Sequence, residues 1–237
     1  MTLLQSSIVF ATLAGAMIPL GAVIASVEHI HPRWLAEELR HSVMAFGGGV
    51  LLAAISFVLV PQGIGYLSPW WSVASFAGGG LAFLWLDRLL ARHGGSVAQL
   101  VAMVSDFVPE AMALGAMFAS GNAAGPLLAV LIGLQNLPEG FNAFRELVAG
   151  GRFRPSTVLW SFLALVALGP LAAVLGHLYL ADEPELLGAV MLFSAGGILY
   201  LVFQDIAPQA HLERRWAPAL GAVSGFTLGL LGHMLVG

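Results

Sequence analysis

Two stretches of the chain place carboxyl and amide side chains one helical turn away from a glutamate that follows a proline. The first stretch contains Asp106 and Glu110, and the second contains Gln135, Asn136 and Glu139. Because residues i and i+4 share one face of an α-helix, the first polar residue and the glutamate of each stretch point the same way. Asn136 lies one position aside. Oxygen donors of this kind suit hard cations such as Mn²⁺, Mg²⁺, Ca²⁺ and Fe²⁺. The spacing therefore predicts a divalent-cation site.

The proline in each stretch supplies further oxygen donors. Pro109 and Pro138 have no N–H, so the carbonyls of Ser105 and Leu134 lose their usual helical partner. If the two helices pack antiparallel at this level, carboxylates, amides and freed carbonyls come together. Carboxylates must be deprotonated to hold a metal ion, so we expect binding to weaken on acidification.

The elements that must position these groups are membrane-spanning helices. The 237 residues are 59% hydrophobic and only 9% charged, with a mean hydropathy of +0.90, whereas soluble domains carry about 25% charged residues. The apolar stretches fit helices of about 20 residues rather than barrel strands of about 9–11. Since backbone groups must be paired within lipid, we predict an all-α, polytopic membrane bundle. Ionisable groups at the bilayer centre cost roughly 2.5–3.5 kcal/mol each and usually mark a functional site.

The hydropathy pattern predicts eight transmembrane helices with both termini outside the cytoplasm. The chain has no lysine, and its arginines all fall on one side of the predicted bundle. Loops 62–68, 120–125 and 181–185 contain none, so the positive-inside rule places the arginine-rich side in the cytoplasm. We expect a bacterial cytoplasmic (inner) membrane. The predicted spans are residues 7–27, 43–61, 69–90, 98–119, 126–147, 157–180, 186–207 and 217–236.

Composition also excludes several classes of partner and site. The absence of cysteine removes thiolate ligation and disulfides. A net charge of −4 with dispersed arginines argues against nucleic acid. The first span lacks a basic leading region, so we interpret it as a retained helix. We expect no prosthetic group, and the expected partners are a divalent metal ion and the lipid bilayer.

An internal repeat organises the predicted spans. Residues 46–63 align without gaps on residues 193–210 at a constant offset of 147. The predicted topology sends the two copies in opposite directions, so the repeat is inverted. The chain then divides into a three-helix repeat (1–92), a central pair (98–147) and an inverted three-helix repeat (157–237). Inverted repeats with midplane sites are typical of secondary transporters. The alternative is that glycine-rich faces and terminal prolines recur by chance. The matching residues are Phe46, Gly49, Pro61 and Gln62 with Phe193, Gly196, Pro208 and Gln209.

The two polar stretches resemble motifs of the ZIP (Zrt-/Irt-like protein) family of divalent metal transporters. The family pattern on span five is His/Gln-Asp/Asn-x-Pro-Glu-Gly, and residues 135–140 fit it in full. On span four, Pro109 and Glu110 fit the family pattern His-Asn-x-Pro-Glu-Gly. Asp106 stands where the family usually has histidine, and Phe107 where it often has asparagine.

The resemblance implies a fold and a function. The fold is an eight-span bundle in a 3+2+3 inverted arrangement, in which a four-helix unit carrying spans four and five moves against a dimeric scaffold. The function is metal uptake toward the cytoplasm, with Mn, Fe, Zn or Cd as the transported ion and a homodimer as the assembly. The loss of histidine at Asp106 leans the site away from zinc. Some members hold two metal ions, but Phe107 cannot ligate and span six contains no acid. The implied ligands are Asp106, Glu110, Gln135, Asn136 and Glu139.

Other interpretations of these residues stay open. The polar groups could be packing elements that hydrogen-bond to one another between helices. A metal-dependent hydrolase would need an activated water and commonly histidine ligands, and no histidine lies near this depth. A non-transporting ZIP-like metal sensor, or a transporter of another solute, would keep the fold without metal flux. Because a metal transporter explains both motifs and the repeat, we predict a transporter and not an enzyme.

Overall fold

Long helices make up the structure, a computed structural model that describes residues 1–28, 33–93, 97–149, 151, 153–210 and 216–236. Within these ranges every regular element is helical, which confirms the all-α prediction. Three of the arginines used to predict orientation, Arg152, Arg214 and Arg215, lie outside the described residues. The elements of the described ranges are α1 (Leu3–Val27), α2 (Arg33–Ala54), the π-helical turn π1 (Ile55–Leu59), α3 (Val60–Tyr66), α4 (Pro69–His93), α5 (Val97–Ala119), α6 (Gly125–Ala149), α7 (Pro155–Leu165), α8 (Leu168–Tyr179), α9 (Pro184–Leu201), the π-helical turn π2 (Val202–Ile206), α10 (Ala207–Ala210) and α11 (Ala217–Val236).

Apolar helices long enough to cross a membrane make this an integral, multi-pass membrane protein. Neither α5 nor α6 is among the segments found within the described residues. The count of eight spans and the orientation therefore stay predictions. The described residues contain six such segments: Leu3–Val27, Glu37–Tyr66, Pro69–Leu90, Pro155–Tyr179, Pro184–Ala210 and Ala217–Val236.

The two π-helical turns occupy the same register in the two repeat copies. Residues 55–59 and 202–206 are separated by 147 positions, which is the offset of the sequence alignment. Each turn comes just before a proline, Pro61 or Pro208. A proline interrupts the regular α-helical hydrogen bonding, and a single π turn is one way in which a helix accommodates such a change. The coincidence supports the inverted repeat, which stays a prediction.

The contacts between helices also follow the pattern expected for the inverted repeat. The most extensive contacts join α1 with α6, α5 with α8, α2 with α11, and α4 with α9. An inverted repeat that exchanges spans one and six, two and seven, three and eight, and four and five converts the first pair into the second and the third into the fourth. We call α1, α5, α6, α7 and α8 the site unit, and the remaining helices with both π turns the frame unit.

Glycines let the helix backbones touch within each unit. A Cβ at Gly140 of α6 would overlap the backbone of Ile18 in α1, and a Cβ at Gly79 of α4 would overlap the backbone of Phe193 in α9. Lipid tails are as apolar as the helix surfaces, so association of helices in a membrane depends on such close packing of small residues. The site unit therefore holds α1 tightly against the helix that carries the second polar stretch.

Candidate metal centre

Helices α5 and α6 carry the sequence-predicted ligands into the interior of the protein. Glu139 is half-buried. Polar groups buried to this degree cost free energy unless they find partners, so their contacts decide what the site can do. The exposed fractions of the other four are 3% for Asp106, 0% for Glu110, 1% for Gln135 and 1% for Asn136.

Glu110 and Gln135 contact each other directly, one from each helix. Nε2 of Gln135 donates a hydrogen bond of 2.7 Å to Oε2 of Glu110. The second oxygen of each residue is buried with no hydrogen-bond partner among the described residues, and so is Oε2 of Glu139. Buried polar atoms almost always have a partner, so three unpaired acceptors at one place require an explanation.

Asp106 and Glu139 line a cavity of about 380 Å³ between the site unit and the frame unit. The N–H of Phe107 donates to Oδ1 of Asp106 at 2.8 Å. Glu139 lies close to both Asp106 and Glu110. In the part of the chain that the structure describes, no three acidic, histidine or cysteine side chains form a metal-binding cluster. The oxygens that the fold brings together are therefore a mixed set of carboxylates and one amide.

Further acids line the same cavity at greater distance from the polar stretches. Asp87 of α4, Glu146 of α6 and Asp205 of π2 all contribute to its wall, and none of its described lining residues is basic. Sequence reasoning missed Asp87 and Glu146 because each lies near a helix end, where an acid is ordinary. A usable signal was the spacing of Glu139, Asn142 and Glu146, which places three oxygen-bearing side chains along one face of α6.

Two of these outer acids already have partners. The hydroxyl of Tyr200 donates to Oδ2 of Asp87 at 2.9 Å, and Nδ2 of Asn142 donates to Oε1 of Glu146 at 3.0 Å. The unpaired oxygens lie deeper, on Glu110, Gln135 and Glu139. The deep group therefore differs from the cavity wall in having acceptors without donors.

Comparison with known proteins finds relatives that are named as metal transporters. No family model matches it. It is 28% identical over 225 residues to a protein of Arabidopsis thaliana named "Putative zinc transporter", a match that covers 88% of this chain and 35% of the relative. It is 30% identical over 115 residues to "Zinc transporter zipt-7.1" of Caenorhabditis briggsae, covering 45% of this chain and 29% of the relative. The chain is thus similar to two proteins that are named as zinc transporters.

The similarity to zinc transporters supports the resemblance of the motifs to the ZIP family and leaves other expectations as predictions. The chain spans about a third of the length of the curated relatives it matches. Both relatives come from eukaryotes, so a bacterial inner membrane stays a prediction, as does the homodimer.

Two of the motif positions, Phe107 and Asn136, face away from the other polar groups. Nδ2 of Asn136 donates to the carbonyl of Ala14 in α1 at 2.9 Å. The Phe107 ring is buried between α1 and α8, where a Cβ at Gly15 would lie 3.1 Å from it and a Cβ at Gly169 would lie 2.8 Å from it. The structure thus brings Glu110 and Gln135 into contact, keeps Asp106 and Glu139 beside them, and directs Asn136 to another helix.

Proposed function

We propose that this protein transports a divalent metal ion across the membrane toward the cytoplasm, and that Asp106, Glu110, Gln135 and Glu139 bind the ion on its way. The observation that carries the proposal is the set of buried, unpaired oxygens on Glu110, Gln135 and Glu139. A hard cation pairs with several such oxygens at once. Both relatives are named as zinc transporters, which supports a transporter and not an enzyme.

The position of the site also favours transport over static metal binding. The cavity that reaches Asp106 and Glu139 continues past Asp87 and Glu146, which lie on helices near the ends that carry arginines. An acidic wall attracts cations electrostatically. An ion that leaves the deep oxygens therefore has a favourable path toward the predicted cytoplasmic side.

Ligand chemistry suggests which ions to test first. An all-oxygen set suits Mn²⁺ and Fe²⁺, whereas imidazole ligands favour Zn²⁺. Zinc and cadmium stay in the comparison, since the names of the relatives specify zinc. We expect Mn²⁺ or Fe²⁺ to be taken up at least as well as Zn²⁺.

Uptake into liposomes that contain the purified protein tests the proposal. The panel is Mn²⁺, Fe²⁺, Zn²⁺, Cd²⁺, Co²⁺ and Mg²⁺. We expect at least one ion to accumulate, and we expect Glu110→Ala and Glu139→Ala to reduce its uptake to the level of empty liposomes. Asp182→Asn is the matched control, because this acid is exposed and lies in a loop away from the site.

Two outcomes would contradict the proposal in different ways. Wild-type uptake in both glutamate variants would mean that the deep oxygens do not bind the transported ion. No uptake of any ion by intact, folded protein would favour the non-transporting sensor.

A further inference from the structure

Two side chains from different helices meet the same point of α1. Asn136 of α6 donates to the carbonyl of Ala14, and the Phe107 ring of α5 packs beside Gly15, the next residue along. These two side chains flank the oxygens of the proposed metal site in sequence. The centre of α1 therefore packs against two residues that are neighbours of the proposed ligands in the sequence.

The centre of α1 is the part of the helix that most needs such a contact. Pro19 lies inside the helix and cannot donate to the carbonyl of Gly15. Polar contacts hold the two ends of α1, where Ser7 bonds to His177 of α8 and Glu28 pairs with Arg145 of α6. Between these ends, Asn136 supplies a buried polar contact at the level of the site.

The unpaired atoms distinguish Asn136 from its neighbour Gln135. Oε1 of Gln135 is buried without a partner, whereas Asn136 contributes no buried, unpaired atom. Successive residues on a helix point about 100° apart, so one of the two adjacent amides faces Glu110 of α5 and the other faces α1. The two amides therefore have different roles: Gln135 contacts Glu110, and Asn136 contacts α1.

We propose that Asn136 is a positioning residue that fixes α1 against α6 and thereby aims Gln135 and Glu139 at the metal ion, without ligating it. The inference rests on the proposed function, because the ligands that it positions are those of the transport site. With Asn136 and Phe107 both committed to α1, the site binds one metal ion per chain.

The substitution Asn136→Asp separates positioning from ligation. Aspartate keeps the shape and is the stronger metal ligand, but it cannot donate to the carbonyl of Ala14. We expect Asn136→Asp and Asn136→Ala to lower the Tm of the metal-free protein by about 3–8 °C. We expect both to weaken the affinity of the folded protein for Mn²⁺ and Zn²⁺ roughly tenfold. Gln135→Ala, the ligand variant, should also weaken affinity, and its Tm should fall too because it removes the buried hydrogen bond to Glu110.

Titration of purified protein with Mn²⁺ and Zn²⁺, below the Tm of each variant, gives affinity and stoichiometry. Binding by Asn136→Asp as tight as wild type, or tighter, would make Asn136 a ligand and overturn the proposal. A lower Tm with unchanged affinity would leave a structural contact that positions nothing, and two bound ions per chain would overturn the one-ion site.

A second variant tests the packing of the centre of α1 without changing Asn136. Gly15→Ala places a Cβ against the Phe107 ring and disturbs α1 next to the carbonyl that Asn136 contacts. We expect weaker metal affinity here too, and unchanged affinity would overturn the role of α1. If wild-type protein binds neither ion, the proposed function fails, while the Tm values of the Asn136 variants still decide whether Asn136 holds α1.

Discussion

The frame unit and the site unit both contain prolines within long helices, and they accommodate them differently. In the frame unit, π turns precede Pro61 and Pro208, and the N–H of Val60 donates five residues back to the carbonyl of Ile55. In the site unit, Pro109 and Pro138 lie inside α-helices. The frame unit changes its helical hydrogen bonding near Pro61 and Pro208, whereas α5 and α6 of the site unit keep α-helical geometry and leave carbonyls without their usual donor.

This difference follows the placement of polar groups. Helices α5 and α6 of the site unit carry buried acids and amides beside their prolines, and the frame unit contributes apolar residues such as Met44 and Leu51 to the cavity at this level. A freed carbonyl is costly in an apolar environment but useful beside a cation. The comparison therefore predicts which substitutions affect stability alone and which also affect metal binding.

We expect the largest changes in stability from substitutions at glycines that lie against a neighbouring helix backbone. Gly140→Ala and Gly79→Ala each force a Cβ into a neighbouring backbone, and overpacking of this kind costs about 1–3 kcal/mol. Both variants should unfold at lower temperature. Only Gly140→Ala should also weaken Mn²⁺ and Zn²⁺ binding by the folded protein, because Gly140 follows Glu139 in α6.

Gly78→Ala is the control for these variants, because a Cβ at that position meets nothing within 4 Å. It should leave the Tm unchanged or raise it slightly, since alanine favours helix by up to about 1 kcal/mol over glycine. Equal loss of metal affinity in Gly79→Ala and Gly140→Ala would end the distinction between the units.

Next in size is the change of metal preference in Asp106→His. Imidazole in place of a carboxylate makes the ligand set more favourable for Zn²⁺. We expect the ratio of Zn²⁺ to Mn²⁺ uptake to rise about 10-fold, the scale on which changes around a metal site alter affinity. Competition between the two ions in liposomes measures the ratio. An unchanged ratio would mean that Asp106 lines the cavity without contacting the ion.

A smaller effect should distinguish the prolines themselves. Pro138→Ala restores a donor to the carbonyl of Leu134, so we expect a higher Tm with metal uptake reduced roughly 5- to 10-fold, the size of one polar contact of about 1–1.5 kcal/mol. Pro61→Ala in the frame unit is the matched change and should leave uptake near wild type. Equal reductions in both variants would show that the prolines act on the fold as a whole.

The sequence predicted helix boundaries best where a polar motif lies on a helix whose ends are marked by glycine or proline. Spans 98–119 and 126–147 match α5 and α6 to within two residues at each end, because glycine and proline mark their boundaries. The pairing of Glu110 with Gln135 agrees with the expectation that the two polar stretches pool their oxygens. Hydropathy predicted the interior of each helix because burial in lipid selects for apolar residues along its whole length.

Features that depend on tertiary contacts were beyond the sequence. The predicted second span, 43–61, begins ten residues after the observed start at Arg33 and ends five residues before Tyr66, since polar residues near a membrane surface can be helical without being hydrophobic. The π turns were not predicted, because hydropathy carries no information on hydrogen-bond register. The orientation of Asn136 depends on where α1 packs, which a local motif does not specify.

The smallest expected effect concerns the contact between the two units. Asn122, in the turn between α5 and α6, donates from Nδ2 to Oε1 of Gln62 in the frame unit at 2.9 Å. If the site unit moves against the frame during transport, this bond must break on the predicted outer side.

A neutral hydrogen bond contributes about 0.5–1.5 kcal/mol, so Asn122→Ala should raise the initial uptake rate by about threefold. Gln62→Ala should do the same, and the double variant should be no faster than either, because all three lose the same contact between the units. Asn122→Ala also loses the bond that its Oδ1 accepts from the N–H of Ala124, so Gln62→Ala is the cleaner test. Ser120→Ala is the control, since this hydroxyl bonds only within its own turn, to Met117. Additive or unchanged rates would mean that the units do not separate here, and that the site unit and the frame unit move as one body.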